Sequence, residues 1–132
     1  MDAQELSRKT AIVEKALKAI KNKLKVEVVL ENVNGNIWYD QSAIEVKIKY
    51  KSKNNPNWIP LDYAFSWYWW SQELWAYNFE HSTLKTLHLD EIEKLVPSKK
   101  LSYMNDNQLA TLRIAAFYYT EFAKRKLVNL DK

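Results

Sequence analysis

The chain has 132 residues, enough for one domain with a real core, and its hydrophobic fraction of 47% and charged fraction of 27% are those of a soluble globular protein. It contains no cysteine, which excludes disulfides, thiol catalysis and thiolate metal sites and fits a reducing, cytoplasmic setting, and its single glycine excludes a glycine-rich phosphate loop. The net charge of +4 comes mostly from lysine and falls short of the excess that marks a dedicated nucleic-acid binder.

The first residues are too polar for a signal peptide, and no apolar run approaches the roughly 20 residues that span a bilayer. Asp2 opens a helix, with Glu5 three residues later as in a capping box. Leu6, Ile12, Val13, Ala16, Leu17 and Ile20 recur at helical steps and predict one apolar stripe to about Lys23. Arg8, Lys9, Lys15, Lys18 and Lys21 make the opposite, solvated face. From Leu24 the period changes to two, as Val26, Val28 and Leu30 alternate with Lys25, Glu27 and Glu31. Asn34-Gly35 then predicts a tight hairpin turn, with Ile37, Trp38 and Tyr39 as a short return strand.

The cleanest strand follows: Ile44, Val46, Ile48 and Tyr50 point one way, Glu45, Lys47, Lys49 and Lys51 the other. Lys53 to Asn57 is a loop dense in turn formers. Trp58 to Phe65 is a strand, and Pro60 inside it demands a sheet edge or a bulge because proline cannot donate to a ladder. Trp67 to Gln72 is a connection unusually rich in rings. Leu74 to Phe79 and Leu84 to Leu89 are strands joined by a turn at Glu80–Thr83, and Ile92 to Val96 is a last short strand ended by Pro97.

Asn105 or Asp106 caps a final helix running to about Leu127. Its apolar arc, from Leu109 and Leu112 through Ala116, Tyr119 and Ala123 and widened by Ile114, Phe117, Tyr118 and Phe122, is broader than one sheet face requires. A second partner is expected for it, a homodimer contact through this helix being one choice. Lys124, Arg125 and Lys126 suit the negative end of the helix dipole. The pattern is a single α+β domain: an N-terminal helix over 1–23, a small, strongly bent antiparallel sheet or SH3/Sm-like barrel of six or seven strands over 24–97, and a C-terminal helix over 105–127.

Part of this pattern resembles the WYL family. Glu45-Val46-Lys47-Ile48-Lys49-Tyr50-Lys51-Ser52 is similar to that family's opening strand, Ile59-Pro60-Leu61 to its proline-containing second strand, and Leu74-Trp75-Ala76-Tyr77 to its third. Lys85-Thr86-Leu87-His88-Leu89-Asp90-Glu91-Ile92 resembles its most specific segment, so the likeness covers about Ile44 to Leu95. The tripeptide that names the family falls on Gln72-Glu73-Leu74, where only the leucine is kept, and its three basic positions fall on Lys85, His88 and Glu91, where one charge is reversed. The resemblance implies an Sm-like barrel acting as a regulatory ligand sensor, with nucleic acids or nucleotides as the ligand class. A single N-terminal helix cannot supply a helix-turn-helix beside it.

No catalytic set assembles from the residues. His81 and His88 are the only histidines; their odd spacing across a turn separates them onto opposite faces, which argues against a metal pair. His81-Ser82-Thr83 lacks the second copy that a two-motif phosphoesterase needs. No metal, cofactor or catalytic residue is expected. What stands out is the aromatic run Trp67-Tyr68-Trp69-Trp70, followed by Trp75, Tyr77 and Phe79. Rings beside cations stack bases and hold phosphates, so the candidate ligand-binding residues are Lys47, Lys49, Trp67, Trp69, Trp70, Trp75, Tyr77, Lys85 and His88. That predicts a regulatory module binding single-stranded nucleic acid or a nucleotide. Tryptophan and tyrosine also dominate protein–protein hot spots, so the alternative is a small viral or accessory inhibitor that docks on a protein partner.

Overall fold

The computed structural model describes residues 2–38, 41–67, 73–78, 80–88 and 104–129. Two helices cover one face of a five-stranded sheet, and the reason lies in the alternation of the strands. Helix α1 (Ala3–Ile20) begins where the Asp2 side chain accepts a 2.7 Å hydrogen bond from the Glu5 backbone N–H, and it runs on into a 3₁₀ turn at Lys21–Lys23. Strands β1 (Val26–Trp38), β2 (Gln41–Ser52), β3 (Ile59–Ser66), β4 (Glu73–Asn78) and β5 (Thr83–His88) form an open antiparallel meander in sequence order. Helix α2 (Asp106–Lys124) starts with a full capping box between Asn105 and Gln108.

Alternate residues of each strand turn to the inner face, and most of them are apolar. Val46, Ile48 and Tyr50 of β2, Leu61, Tyr63 and Phe65 of β3, Leu74 and Ala76 of β4, and Leu87 of β5 are buried against Ile12, Val13, Ala16 and Ile20 of α1 and Ile114, Phe117, Tyr118 and Phe122 of α2. Each large side chain so buried contributes roughly 1.5–3 kcal/mol. The rings meet edge to face: Tyr63 on Phe117 at 4.8 Å, Phe65 on Phe117 at 5.3 Å and Tyr50 on Phe122 at 5.3 Å. A share of the aromatic surplus is therefore core.

Several expectations change in the folded chain. Asn34-Gly35 makes no turn: both residues lie inside β1, paired with Glu45 and Ile44, and Gly35 has a negative φ. The long alternating run of β2 offers partners as far as Trp38, so the ladder overrides local turn preference, and a bulge between Leu30 and Asn32 absorbs the register change. The two strands expected before Ile44 are thus one. The expected strand Ile92–Val96 lies outside the described residues. The sheet is the open alternative of the two forms that the strand pattern allows. Pro60 sits opposite Lys49 where β3 has only β2 beside it, since pairing with β4 begins at Tyr63, so the proline occupies a local edge.

The wide apolar arc of α2 finds both partners within the chain, the sheet on one side and α1 on the other, and Arg8 of α1 donates a 2.7 Å hydrogen bond to Asn107 in the first turn of α2. Lys9 does not belong to the solvated face of α1. It is buried, 3.5 Å from Glu5, with its ammonium 5.1 Å from the centre of the Trp67 ring.

Candidate functional site

The outer face of the sheet is where chemistry-bearing side chains collect. Odd-numbered positions of β2 bring Glu45, Lys47, Lys49 and Lys51 to it, and the same alternation brings Asp62 from β3, Trp75 and Tyr77 from β4, and Leu84 from β5. Trp58, immediately before β3, lies across this ridge with Lys49 and Lys51 at 5.1 and 5.4 Å from its ring centre. β1 adds carboxylates: Glu31 is 3.7 Å from Lys49, and Glu27 is 3.4 Å from Lys51. Between β2 and β3 a shallow depression of about 270 Å³ is lined by Glu45, Lys47 and Asp62. Partial burial raises the Asp62 carboxyl, against the opposing pull of Lys47.

The set of candidates chosen from the sequence divides between the two faces. Lys47, Lys49, Trp75 and Tyr77 share the outer face. Trp67 stands just past β3, partly buried against the core and under Lys9. Lys85 is an inner-face residue of β5, opposite Ala76, and reaches Glu121 of α2 at 2.7 Å. His88 ends β5 opposite Glu73, whereas Trp69 and Trp70 lie outside the described residues. His81 is an exposed turn residue, its backbone N–H bonded to Asn78 Oδ1 at 3.0 Å. Among the described residues no group of three or more His, Cys, Asp or Glu side chains is placed to hold a metal ion.

Lys85 belongs to a second cluster that the sequence reading missed. Glu121 is 1% exposed, and its Oε1 accepts from the Tyr63 hydroxyl at 2.6 Å and from Lys85 at 2.7 Å. Lys124 is 3.3 Å from Oε2, and Arg125 reaches Oε1 at 3.4 Å. Burial alone would raise this carboxyl, but the bonds from Lys85 and Tyr63 and the charges of Lys85 and Lys124 overcome it and hold Glu121 down to about 2. Burial and the carboxylate together push Tyr63 up to about 12. The available signal was a lone carboxylate inside an apolar stripe, between Tyr118 and Phe122. Lys51 shares the face of Lys49 by the period-two pattern alone, whereas Trp58 reaches both lysines only through the pairing of β2 with β3.

The outer face of the sheet thus carries rings and matched charges, with neither described helix packed on it, and the inner face holds the ionic cluster at Glu121. Comparison of the chain with known protein families, with curated proteins and with solved structures finds no match.

Proposed function

We propose that the chain is a non-enzymatic interaction module that docks a partner protein on the open face of its sheet. One observation carries this reading. Among the described residues five large apolar side chains are exposed, and four of them, Val29, Trp58, Trp75 and Leu84, belong to that face. Tryptophans 36–37% exposed amid interspersed charge have the composition of a protein-binding hot spot and its rim.

Electrostatics favours a protein over nucleic acid. Lys47, Lys49 and Lys51 are matched on or beside the face by Glu27, Glu31, Glu45 and Asp62, and two of the lysines are already in ion pairs. Nucleic-acid affinity comes mainly from neutralising phosphates, which needs a net positive surface. The ionic cluster at Glu121 supports the non-enzymatic part: a carboxyl held at about 2 and a phenol at about 12 are both far from the range useful for proton transfer at neutral pH.

The test uses a photo-cross-linking residue in place of Trp75 to capture a partner, which is then purified and titrated against the wild-type chain. The double variant Trp58→Ala, Trp75→Ala is expected to lose about thirtyfold or more in affinity, the scale of a hot-spot pair, while keeping its circular dichroism. In parallel, oligo(dT) and oligo(U) are titrated by tryptophan fluorescence at two salt concentrations. Steeply salt-dependent oligonucleotide binding that is lost in Lys47→Met, Lys49→Met would overturn the reading in favour of nucleic acid.

A further inference from the structure

β1 is the first strand of the sheet order, and among the described residues β2 is its one neighbouring strand, so its other edge offers the row of backbone N–H and C=O groups to which an added strand can pair. Along its first half, between the strand and the C-terminal half of α1, runs a groove of about 770 Å³. Its floor is apolar, from Leu17 of α1 and the inward-facing Val26 and Val28 of β1, and Lys18, Lys21 and Lys53 stand on its rim. The one carboxylate in the lining, Glu27, is engaged by Lys51, whereas the three rim lysines enter no ion pair among the described residues.

The molecule makes a strand addition of its own at one end of this groove. After α2 the chain returns so that Lys25 N–H donates to the Leu127 carbonyl at 2.8 Å and Asn129 N–H to the Lys23 carbonyl at 2.8 Å, with Leu24 and Val128 as an antiparallel bridge. Asn129 is thereby brought into the lining of the groove.

We propose that the β1 edge and this groove take an extended, acidic peptide segment as an additional strand. Backbone hydrogen bonds to β1 supply the main attraction, and alternate side chains set the selectivity. Apolar residues of the peptide enter over Leu17, Val26 and Val28, and carboxylates meet Lys18, Lys21 and Lys53. A second copy of β1 is the weaker occupant, because its carboxylates Glu27 and Glu31 are already paired with Lys51 and Lys49 of their own sheet. This surface adjoins the aromatic face at Glu27 and shares none of its rings.

The experiment titrates the full chain with an end-blocked decapeptide of alternating valine and glutamate, with its valine–lysine counterpart, and with decanoate, while recording backbone amide shifts and hydrogen exchange. The expected result is that the glutamate peptide shifts and protects β1 amides, that the lysine peptide does not, and that Lys18→Glu, Lys21→Glu weakens binding by about tenfold; Lys53→Glu is the second, independent variant. Trp58→Ala, Trp75→Ala should leave this binding intact, so failure here and failure of the open-face reading are distinguishable. Equal binding of both peptides, no shift in β1 with the glutamate peptide, groove shifts with decanoate alone, or protection of β1 that grows with protein concentration in a self-associating sample would each overturn the proposal.

Discussion

The hydroxyl of Tyr63 in β3 donates a 2.6 Å hydrogen bond to Oε1 of Glu121 in α2, joining the centre of the sheet to the helix that covers it. A few ångströms away in the same core, Tyr118 packs its ring 6.5 Å from that of Tyr63, and its hydroxyl has no partner among the described residues. Two buried phenols in one cluster thus stand in opposite situations.

Their truncation should therefore have opposite signs. Tyr63→Phe removes a hydrogen bond to a buried carboxylate and is expected to cost about 1.5–3 kcal/mol. Tyr118→Phe removes a polar atom that loses its water on folding without replacing it, and should be neutral or stabilising by about 1 kcal/mol. Urea unfolding of the two variants checks this, and a loss in Tyr118→Phe as large as in Tyr63→Phe would show that the second hydroxyl is satisfied in solution.

The Glu121 carboxyl, held down to about 2 against an ordinary 4.5, makes a pH signature. A carboxyl depressed by folding contributes stability that is fully present above its unfolded pKa and is lost as pH falls through the folded one. The window is therefore between about pH 4.5 and 2, and the stake is about 3 kcal/mol. Glu121→Gln should be less stable than wild type at pH 7 by about that amount, and the two proteins should converge near pH 2. Parallel acid titrations of the urea midpoint measure the convergence; a constant gap would remove Glu121 as its source.

Lys9 carries the opposite prediction. Its ammonium is buried beside Glu5 and Trp67, and burial lowers its pKa below 10.5 despite the attraction of Glu5. The unfolded chain then binds the proton more tightly, so the charge costs stability at neutral pH and the cost fades as pH rises toward 10.5. Lys9→Met keeps the stem and drops the charge. With about 0.5–1 kcal/mol of cation–π attraction lost in exchange, the variant should match or exceed wild type at pH 7 by up to about 1 kcal/mol, and the advantage should shrink at alkaline pH. Thermal melts at neutral and alkaline pH decide it.

What the sequence disclosed follows from how local each signal is. The period-two runs of β2 and the caps at Asp2 and Asn105 act within a few residues, and the folded chain keeps them. The meeting of Lys85 with Glu121 depends on which face of the sheet receives a helix 36 residues away, which no local pattern encodes. Grouping Lys85 with Lys47 and Lys49 assumed one shared face, yet Lys85 sits beside Ala76 on the inner side. The burial of Lys9 was equally hidden, since it depends on Trp67 arriving from beyond β3.

Gly35 gives the sharpest test of the competition between local preference and ladder. As part of a turn with positive φ it would resist any side chain, because a Cβ in the left-handed region clashes with the backbone. In β1 it has a negative φ, pairs with Ile44 and is exposed, so a glycine there only weakens the strand. Gly35→Ala is therefore expected to raise stability by roughly 0.5–1 kcal/mol, mainly by restricting the unfolded chain. The measurement is again the urea midpoint, paired with amide exchange at Asn34 and Glu45. A loss of similar size, with fast exchange at both amides, would restore the hairpin at Asn34-Gly35 and shorten β1 to its first half. A gain would fix β1 as one strand along its whole length, in register with β2 as far as Trp38.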